Sequence, residues 1–140
     1  MARRSRSYLD TSAYLCVLLG EEGHAALVAE LKGSELVASS LLVLEAERNL
    51  VRLSREGRLP PADLQNALDR LDSDIELFQL RDLTLDLCRK RSMPIVSTPR
   101  SLDLAHLRSA LWFHEQAPLT RFVTLDAGQR QSARELGLPV

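Results

Sequence analysis

The stretch Tyr8-Leu9-Asp10-Thr11-Ser12-Ala13 decides how the chain folds. An apolar pair is followed at once by an aspartate, two hydroxyl residues and a helical pattern, which predicts a strand end, a turn and a helix start. Asp10 would then lie at the carboxyl end of the first strand, where open α/β sheets build their sites. A second apolar run, residues 121–125, ends in Asp126 before another helix. Two strands that end in acids predict a pocket lined by carboxylates.

The length and composition indicate one ordinary globular domain over residues 1–140. The formal net charge of −1 excludes a strongly basic nucleic-acid coat, but a local basic face remains open. Residues 1–6 form a basic leader, whose order the sequence leaves open. No apolar segment follows this leader, so we do not interpret it as a secretory signal, and no apolar run reaches the roughly 20 residues of a membrane span. We therefore expect a cytoplasmic protein without membrane contact.

Strand and helix patterns alternate along the chain. Strands are predicted over residues 35–38, 75–80 and 121–125 and, as a short last strand, 138–140. Helices are predicted over residues 13–19, 24–31, 40–55, 62–71, 84–91, 102–114 and 127–136, with a loop over 93–99. This alternation predicts an α/β fold with a parallel sheet and helices on both sides. Cys16 and Cys88 lie in apolar helical contexts and are predicted to be core residues.

The helix over residues 40–55 contains two candidate acids, Glu45 and Glu47. A helical wheel at 100° per residue collects one broad apolar stripe, formed by Leu42, Val43, Ala46, Leu50, Val51 and Leu53. Glu47 lies within the arc of this stripe, whereas Glu45 lies opposite its centre. Periodicity alone therefore favours Glu47 as the buried acid and leaves Glu45 on a solvated face.

Each remaining acid has a simple structural interpretation beside a functional one. Asp10 and Asp126 can serve as helix N-caps, and Asp103 can be an acid in the first turn of its helix. His106, one turn further, is expected to be a structural histidine rather than a ligand. No Cys/His spacing suits zinc, so a hard ion such as Mg²⁺ or Mn²⁺ fits clustered carboxylates best. Four converging acids without a nearby lysine also predict strong mutual repulsion and raised pKa values.

Four segments occur in a characteristic order along the chain. They are Leu9-Asp10-Thr11-Ser12-Ala13, Ser39-Ser40-Leu41-Leu42-Val43-Leu44-Glu45, Ser101-Leu102-Asp103-Leu104-Ala105-His106-Leu107 and Val123-Thr124-Leu125-Asp126. Together with the tail over residues 133–140, they resemble the PIN domain, specifically the toxin ribonucleases of the VapC type. Any one segment is weak evidence for this family. The four segments in this order, at this chain length, form a specific pattern that covers nearly the whole chain.

The resemblance implies a three-layer α/β/α sandwich with a central parallel sheet of four to five strands. It implies a metal-dependent endoribonuclease, the toxin of a type II toxin–antitoxin system, in which an acidic quartet binds Mg²⁺ or Mn²⁺. Carried over, the catalytic and metal-binding quartet is Asp10, Glu45, Asp103 and Asp126. The motif thus selects Glu45 and leaves Glu47 in reserve. The implied partners are RNA, a small cognate antitoxin and a second copy of the chain.

Several side chains beside the quartet are assigned supporting roles. Arg48 and Arg52, with Arg55, run along the helix of Glu45 and can contact RNA phosphates, or can simply form a solvated face. The hydroxyls of Thr11, Ser12 and Thr124 can orient a carboxylate or a water, or can serve only turns and caps. Arg108 departs from the family pattern, where a small residue is usual, and its role stays open. Surplus apolar residues, namely Leu15, Leu18, Leu64 and Leu68, also suggest a dimer.

Two other functional classes are compatible with an acid at a strand end. A phosphotransfer module or phosphatase would use Asp10 as a nucleophile, but it usually needs another acid near that aspartate and a lysine on a late strand, and neither occurs here. A non-catalytic PIN-like scaffold would not need an intact quartet. Loss of activity on chelation without a phosphoenzyme separates the nuclease from both alternatives.

Overall fold

The computed structural model describes residues 3–89, 96–97 and 100–140, which contain four strands and seven helices. The strands are β1 (Arg6–Leu9), β2 (Glu35–Ser39), β3 (Phe78–Arg81) and β4 (Arg121–Val123). The helices are α1 (Thr11–Leu19), α2 (His24–Leu31), α3 (Leu41–Arg55), α4 (Pro61–Ile75), α5 (Leu85–Cys88), α6 (Ser101–Gln116) and α7 (Ala127–Glu135). Arg6, grouped with the leader in the sequence analysis, is the first residue of β1.

The four strands form one parallel sheet in the order β3-β2-β1-β4, which confirms the predicted α/β class and sheet type. Tyr8 is the register partner of Val37 on one side and of Phe122 on the other. From β1 the chain moves outward through β2 and β3, and it then returns to place β4 on the opposite side of β1. The order therefore reverses between β1 and β4, and at such a reversal the carboxyl ends of neighbouring strands border a crevice.

Side chains that alternate along the strands build two cores, one on each face of the sheet. Leu9, Ala38 and Val123 pack with buried residues of α1, α2, α3 and α4. Tyr8, Val37 and Phe122 pack with buried residues of α6 and α7. Helices thus cover both faces, and the layers follow the order helix, sheet, helix.

Several predicted boundaries were wrong. Ile75 ends α4 instead of starting a strand, because it extends the apolar face that the helix packs on the core. Residues 138–140 are not a strand; the carbonyl of Pro139 accepts a hydrogen bond from the amide of Phe122 at 2.6 Å. Ser101 lies inside α6, and Arg100 occupies the N-cap position.

Cys88 is exposed, although Cys16 is buried as expected.

Parts of two predicted elements lie outside the described residues. These are the end of the helix predicted over residues 84–91 and most of the loop predicted over 93–99, of which only Val96 and Ser97 are described. In the part of the chain that is described, no helix is long and apolar enough to cross a membrane.

The four leucines that suggested a dimer belong to the core of a single chain. Leu18 is buried, and Leu15, Leu64 and Leu68 are partly buried against the core that includes α1 and α4. These side chains are therefore not surplus apolar surface, and they no longer support a dimer.

Candidate active site

The four predicted acids line one cleft at the crevice between β1 and β4. Asp10 directly follows β1, Asp126 precedes α7, Glu45 lies on α3 and Asp103 lies in the first turn of α6. The cleft has a volume of about 240 Å³. Four separate segments of the chain thus bring their carboxylates to a single depression.

Asp10 is held by three hydrogen bonds. Its Oδ1 accepts from the Ser12 hydroxyl at 2.6 Å and from the amide of Ala13 at 3.1 Å, and its Oδ2 accepts from the Thr124 hydroxyl. The side chain caps α1 and also faces the cleft, so both interpretations of this acid hold. Asp10 is only 5% exposed, and this burial raises the pKa of its carboxyl above the ordinary value, although the three hydrogen bonds lower it.

Asp126 is fixed by the same hydroxyl residues and by its own helix. Its Oδ1 accepts from the amide of Gln129 at 2.9 Å and caps α7. The amide of Asp126 donates to Thr124 Oγ1 at 3.1 Å, and the amide of Leu125 donates to Ser12 Oγ at 3.0 Å. The backbone hydrogen bond from Gln129, followed by the nearby Arg100 guanidinium, lowers the pKa of Asp126. Ser12 and Thr124 therefore orient the carboxylate of Asp10, and they tie the two strand ends together by accepting from the backbone amides of Leu125 and Asp126.

Glu45 is positioned by a buried polar chain that begins in the sheet. The hydroxyl of Tyr8 lies 2.9 Å from Nδ1 of His106, and Nε2 of His106 lies 2.6 Å from Oε1 of Glu45. Thr11 donates to the same oxygen of Glu45 at 2.9 Å. Burial raises the pKa of Glu45, but the hydrogen bond and electrostatic attraction of His106, the hydrogen bond from Thr11 and the charge of Arg48 together outweigh burial, so the net pKa is lowered. His106 is only 3% exposed, and it is a bonded structural histidine, as predicted.

The helical wheel was wrong about which glutamate of α3 is buried. Glu47 is exposed, whereas Glu45 is partly buried in the cleft. The buried face of α3 consists of Leu42, Ala46 and Leu50. Val51 is 41% exposed, and its inclusion in the stripe had shifted the apparent centre toward Glu47. The motif therefore selected the glutamate that reaches the cleft.

Arg100 is the cleft residue that the sequence analysis missed. Its Nε donates to Oδ2 of Asp103 at 2.6 Å, and its Nη2 donates to Oδ2 of Asp126 at 3.0 Å. The side chain is 65% exposed. Its position three residues before Asp103, at a helix start, is an ordinary spacing for an ion pair, but no local signal connects it with Asp126. The positive charge of Arg100 therefore reduces the predicted repulsion among the four acids. The pKa of Asp10 is raised, whereas the pKa values of Glu45 and Asp126 are lowered.

The other arginines singled out in the sequence differ in their placement. Arg48 is exposed on α3. Arg52 is also exposed, and it contacts Asn49 at 3.1 Å and Glu56 at 3.4 Å. Arg108 does not line the acidic cleft; its Nη1 donates to the carbonyls of Leu87 and Cys88 at the end of α5.

A larger, mainly apolar cavity of about 310 Å³ shares no lining residue with the acidic cleft. It includes Asp74, which accepts a hydrogen bond from the Tyr14 hydroxyl at 2.8 Å and pairs with Arg70 at 3.5 Å. Among its described lining residues Asp74 is the one acid, against four acids in the smaller cleft, so we place the candidate chemistry in that cleft.

The donor chemistry of the cleft suits a hard divalent ion, since four carboxylates offer oxygen ligands. The arrangement of these carboxylates in the structure, however, is not that of a formed metal site. Across residues 3–89, 96–97 and 100–140, no group of three or more His, Cys, Asp or Glu side chains is arranged to hold a metal ion. Protein donors engage each acid instead, and Arg100 bridges Asp103 and Asp126.

The opposite pKa shifts of Asp10 and Glu45 predict opposite effects of their amide variants on stability without metal. A raised folded-state pKa means that wild-type protein loses stability as pH rises from the ordinary aspartate value of about 3.9 through the folded value. The advantage of Asp10→Asn over wild type should therefore grow with pH. Because the pKa of Glu45 is lowered, the wild-type protein gains stability as pH rises toward the ordinary glutamate value of about 4.3. The free energy of unfolding of Glu45→Gln should therefore fall relative to wild type over this range.

Urea unfolding of both variants and wild type, between about pH 3 and about pH 7, measures these differences. Glu47→Gln, on the exposed surface of the same helix, is the control for removal of a carboxylate from α3. Difference curves that change in the same direction for Asp10→Asn and Glu45→Gln would contradict the assignment of the two environments.

No protein-family model matches this chain, and no curated protein matches it either. Its function is therefore inferred from the cleft and from the residues that line it.

Proposed function

We propose that the chain is a PIN-like domain that acts as a divalent-metal-dependent endoribonuclease, the toxin of a type II toxin–antitoxin pair. One observation carries this proposal: Asp10, Glu45, Asp103 and Asp126, the four acids selected by the motif, all line one cleft at the crevice between β1 and β4. A cleft so rich in carboxylates repels an RNA phosphodiester unless a cation is present. The proposed activity therefore requires a divalent cation as cofactor.

The side chains divide the work of holding that cation. Asp10, Asp103 and Asp126 would hold Mg²⁺ or Mn²⁺, together with Glu45. When bound, the ion supplies Lewis-acid chemistry, since it lowers the pKa of water and offsets charge on the phosphate. Thr124 and Ser12 fix the two oxygens of Asp10, while His106 and Thr11 fix Glu45. Such partners reduce the reorganisation needed when ion and substrate bind.

The phosphotransfer alternative is disfavoured by the surroundings of Asp10. Both of its carboxylate oxygens accept hydrogen bonds, which make the carboxylate a weaker nucleophile toward a phosphoryl group. That alternative also needs a lysine near the nucleophile. Among the described residues the one lysine is Lys32, which lines the apolar cavity and not the cleft.

The purified protein is expected to cleave RNA in the presence of Mn²⁺ or Mg²⁺ and to stop when EDTA is added. A fluorescent oligoribonucleotide and its deoxy counterpart, resolved on a denaturing gel, measure the activity and its preference for RNA. Acid-quenched samples test for a phosphoenzyme. Recovery of phosphate on Asp10, or metal binding without any RNA cleavage, would contradict the nuclease.

The biological part of the proposal has its own test. Expression of the chain in a bacterial host should arrest growth, and Asp10→Asn should relieve the arrest. Co-expression of the neighbouring reading frame should also relieve it if that frame encodes the small antitoxin. Light scattering at micromolar concentration tests the proposed homodimer. Normal growth despite soluble, RNA-cleaving protein would remove the toxin role and leave the nuclease.

A further inference from the structure

We propose that Arg100 is an exchangeable cation of the cleft, which pairs with Asp103 and Asp126 before the metal ion binds and contacts a phosphate of the RNA once the ion has replaced it. This inference rests on the proposed function and adds a substrate-binding residue to it. Its starting point is the double contact, at 2.6 Å to Asp103 and 3.0 Å to Asp126, which places one positive charge between two of the four acids.

The charges of the cleft make Arg100 distinctive. Four carboxylates line it, and of the lining residues that the structure describes, Arg100 is the one lysine or arginine. A guanidinium between two carboxylates provides part of the neutralisation that a divalent ion would provide. Ion and guanidinium therefore compete for Asp103 and Asp126.

The exposure of Arg100 makes this exchange easy. The side chain is 65% exposed, so no packing retains it against the acids, and exposed ion pairs hold side chains weakly. A bound divalent ion would compete with the guanidinium for the oxygens of Asp103 and Asp126 and would repel its positive charge. Arg100 then remains at the rim of the cleft as a free fork of donors, which is a group well matched to phosphate oxygens.

A structural role for Arg100 is the main alternative. Arg100 occupies the N-cap position of α6 without a side-chain capping bond, and its ion pairs connect the start of α6 with Asp126 before α7. If it served only to fix these elements, its removal would disturb the acids and weaken metal binding. The exchange role predicts the opposite, because its removal abolishes a competitor.

The test uses Arg100→Ala, with Arg134→Ala as a matched control. Arg134 is exposed in the last turn of α7, so the control removes the same charge at the far end of that helix. Titration calorimetry with Mn²⁺ alone should show tighter binding for Arg100→Ala, by several-fold. Cleavage of an oligoribonucleotide should show kcat/KM lowered by about tenfold or more, since a charge-assisted contact to phosphate is lost. Arg134→Ala should change neither quantity.

Two further variants keep the result decisive. Arg100→Lys retains a charge and should recover part of kcat/KM, whereas Arg100→Gln retains length without charge and should behave like Arg100→Ala if the latter does not fold. Weaker or unchanged Mn²⁺ binding in Arg100→Ala and Arg100→Gln, or unchanged kcat/KM, would overturn the exchange role. A wild-type protein that neither binds Mn²⁺ nor cleaves RNA would instead remove the proposed function.

Discussion

Asp126→Asn is expected to lower the rate of RNA cleavage at saturating Mn²⁺ by roughly a hundredfold to a thousandfold, while the protein remains folded. The change preserves the shape of the side chain, and the amide oxygen can still accept the capping bond from Gln129. What is lost is one negative ligand, and metal-ion stabilisation of transition-state charge is worth several kcal/mol, with about 1.4 kcal/mol per tenfold in rate.

The same substitution gives a second, independent readout. The neutral amide that replaces the carboxylate can no longer form an ion pair with Arg100, so Asp126→Asn should not gain stability in the absence of metal. Asp10→Asn should lose activity to a similar degree, yet gain stability near neutral pH because the buried charge is removed. The gain expected for Asp10→Asn thus comes from removal of a buried charge and not from relief of repulsion among the four acids.

Glu45→Gln and Glu47→Gln complete the comparison as a matched pair on one helix. Glu45→Gln should lose cleavage, and the exposed Glu47→Gln should keep it. Gel assays of RNA cleavage and melting curves without metal measure all four variants. Wild-type activity in Asp126→Asn or Asp10→Asn would exclude the metal-dependent mechanism at this cleft.

His106→Leu is expected to lower cleavage about tenfold to a hundredfold, the usual range for residues that orient a metal ligand. His106 acts through Glu45, because it holds Oε1 of that glutamate at 2.6 Å and is itself held by the Tyr8 hydroxyl. Loss of these hydrogen bonds in a buried position should also lower the free energy of unfolding by about 1–3 kcal/mol.

A conservative variant distinguishes positioning from general destabilisation. His106→Gln can still donate a hydrogen bond to Glu45, so it should retain more activity than His106→Leu. His24→Leu makes the same change on the exposed surface of α2 and should leave the rate unaltered. Equal rates for His106→Leu and wild type, measured where both are folded, would show that Glu45 needs no such support.

Local patterns were sufficient for most of the fold. The apolar pair Tyr8-Leu9 predicted the end of a strand, and the structure buries the two side chains on opposite faces of the sheet. The helix predicted over residues 13–19 ends before Gly20, as α1 does. Gly20 adopts φ 63°, a left-handed conformation that favours glycine and suits a helix end. Such signals work because they depend on neighbouring residues only.

Features that depend on distant partners were less accessible. The wheel misplaced Glu47 because it counted Val51 as core, and only the packed structure shows that residue exposed. Arg100 reaches Asp126 across 26 residues, and Tyr8 reaches His106 across 98. No periodicity encodes such pairs, so the sequence pointed to the four acids and to the nearby hydroxyls but not to the pairing of Arg100 with Asp126 or of Tyr8 with His106.

The hydrogen bond between Thr124 and Asp10 joins residues 114 positions apart and depends on the pairing of β1 with β4. During translation, the strand that carries Asp10 leaves the ribosome long before β4 does. Contacts of such long sequence separation form late, because the intervening loop must first be closed. A nascent chain that has not yet released β4 lacks both the Thr124 hydroxyl and Asp126, so the complete set of carboxylates assembles only when synthesis has reached the start of α7.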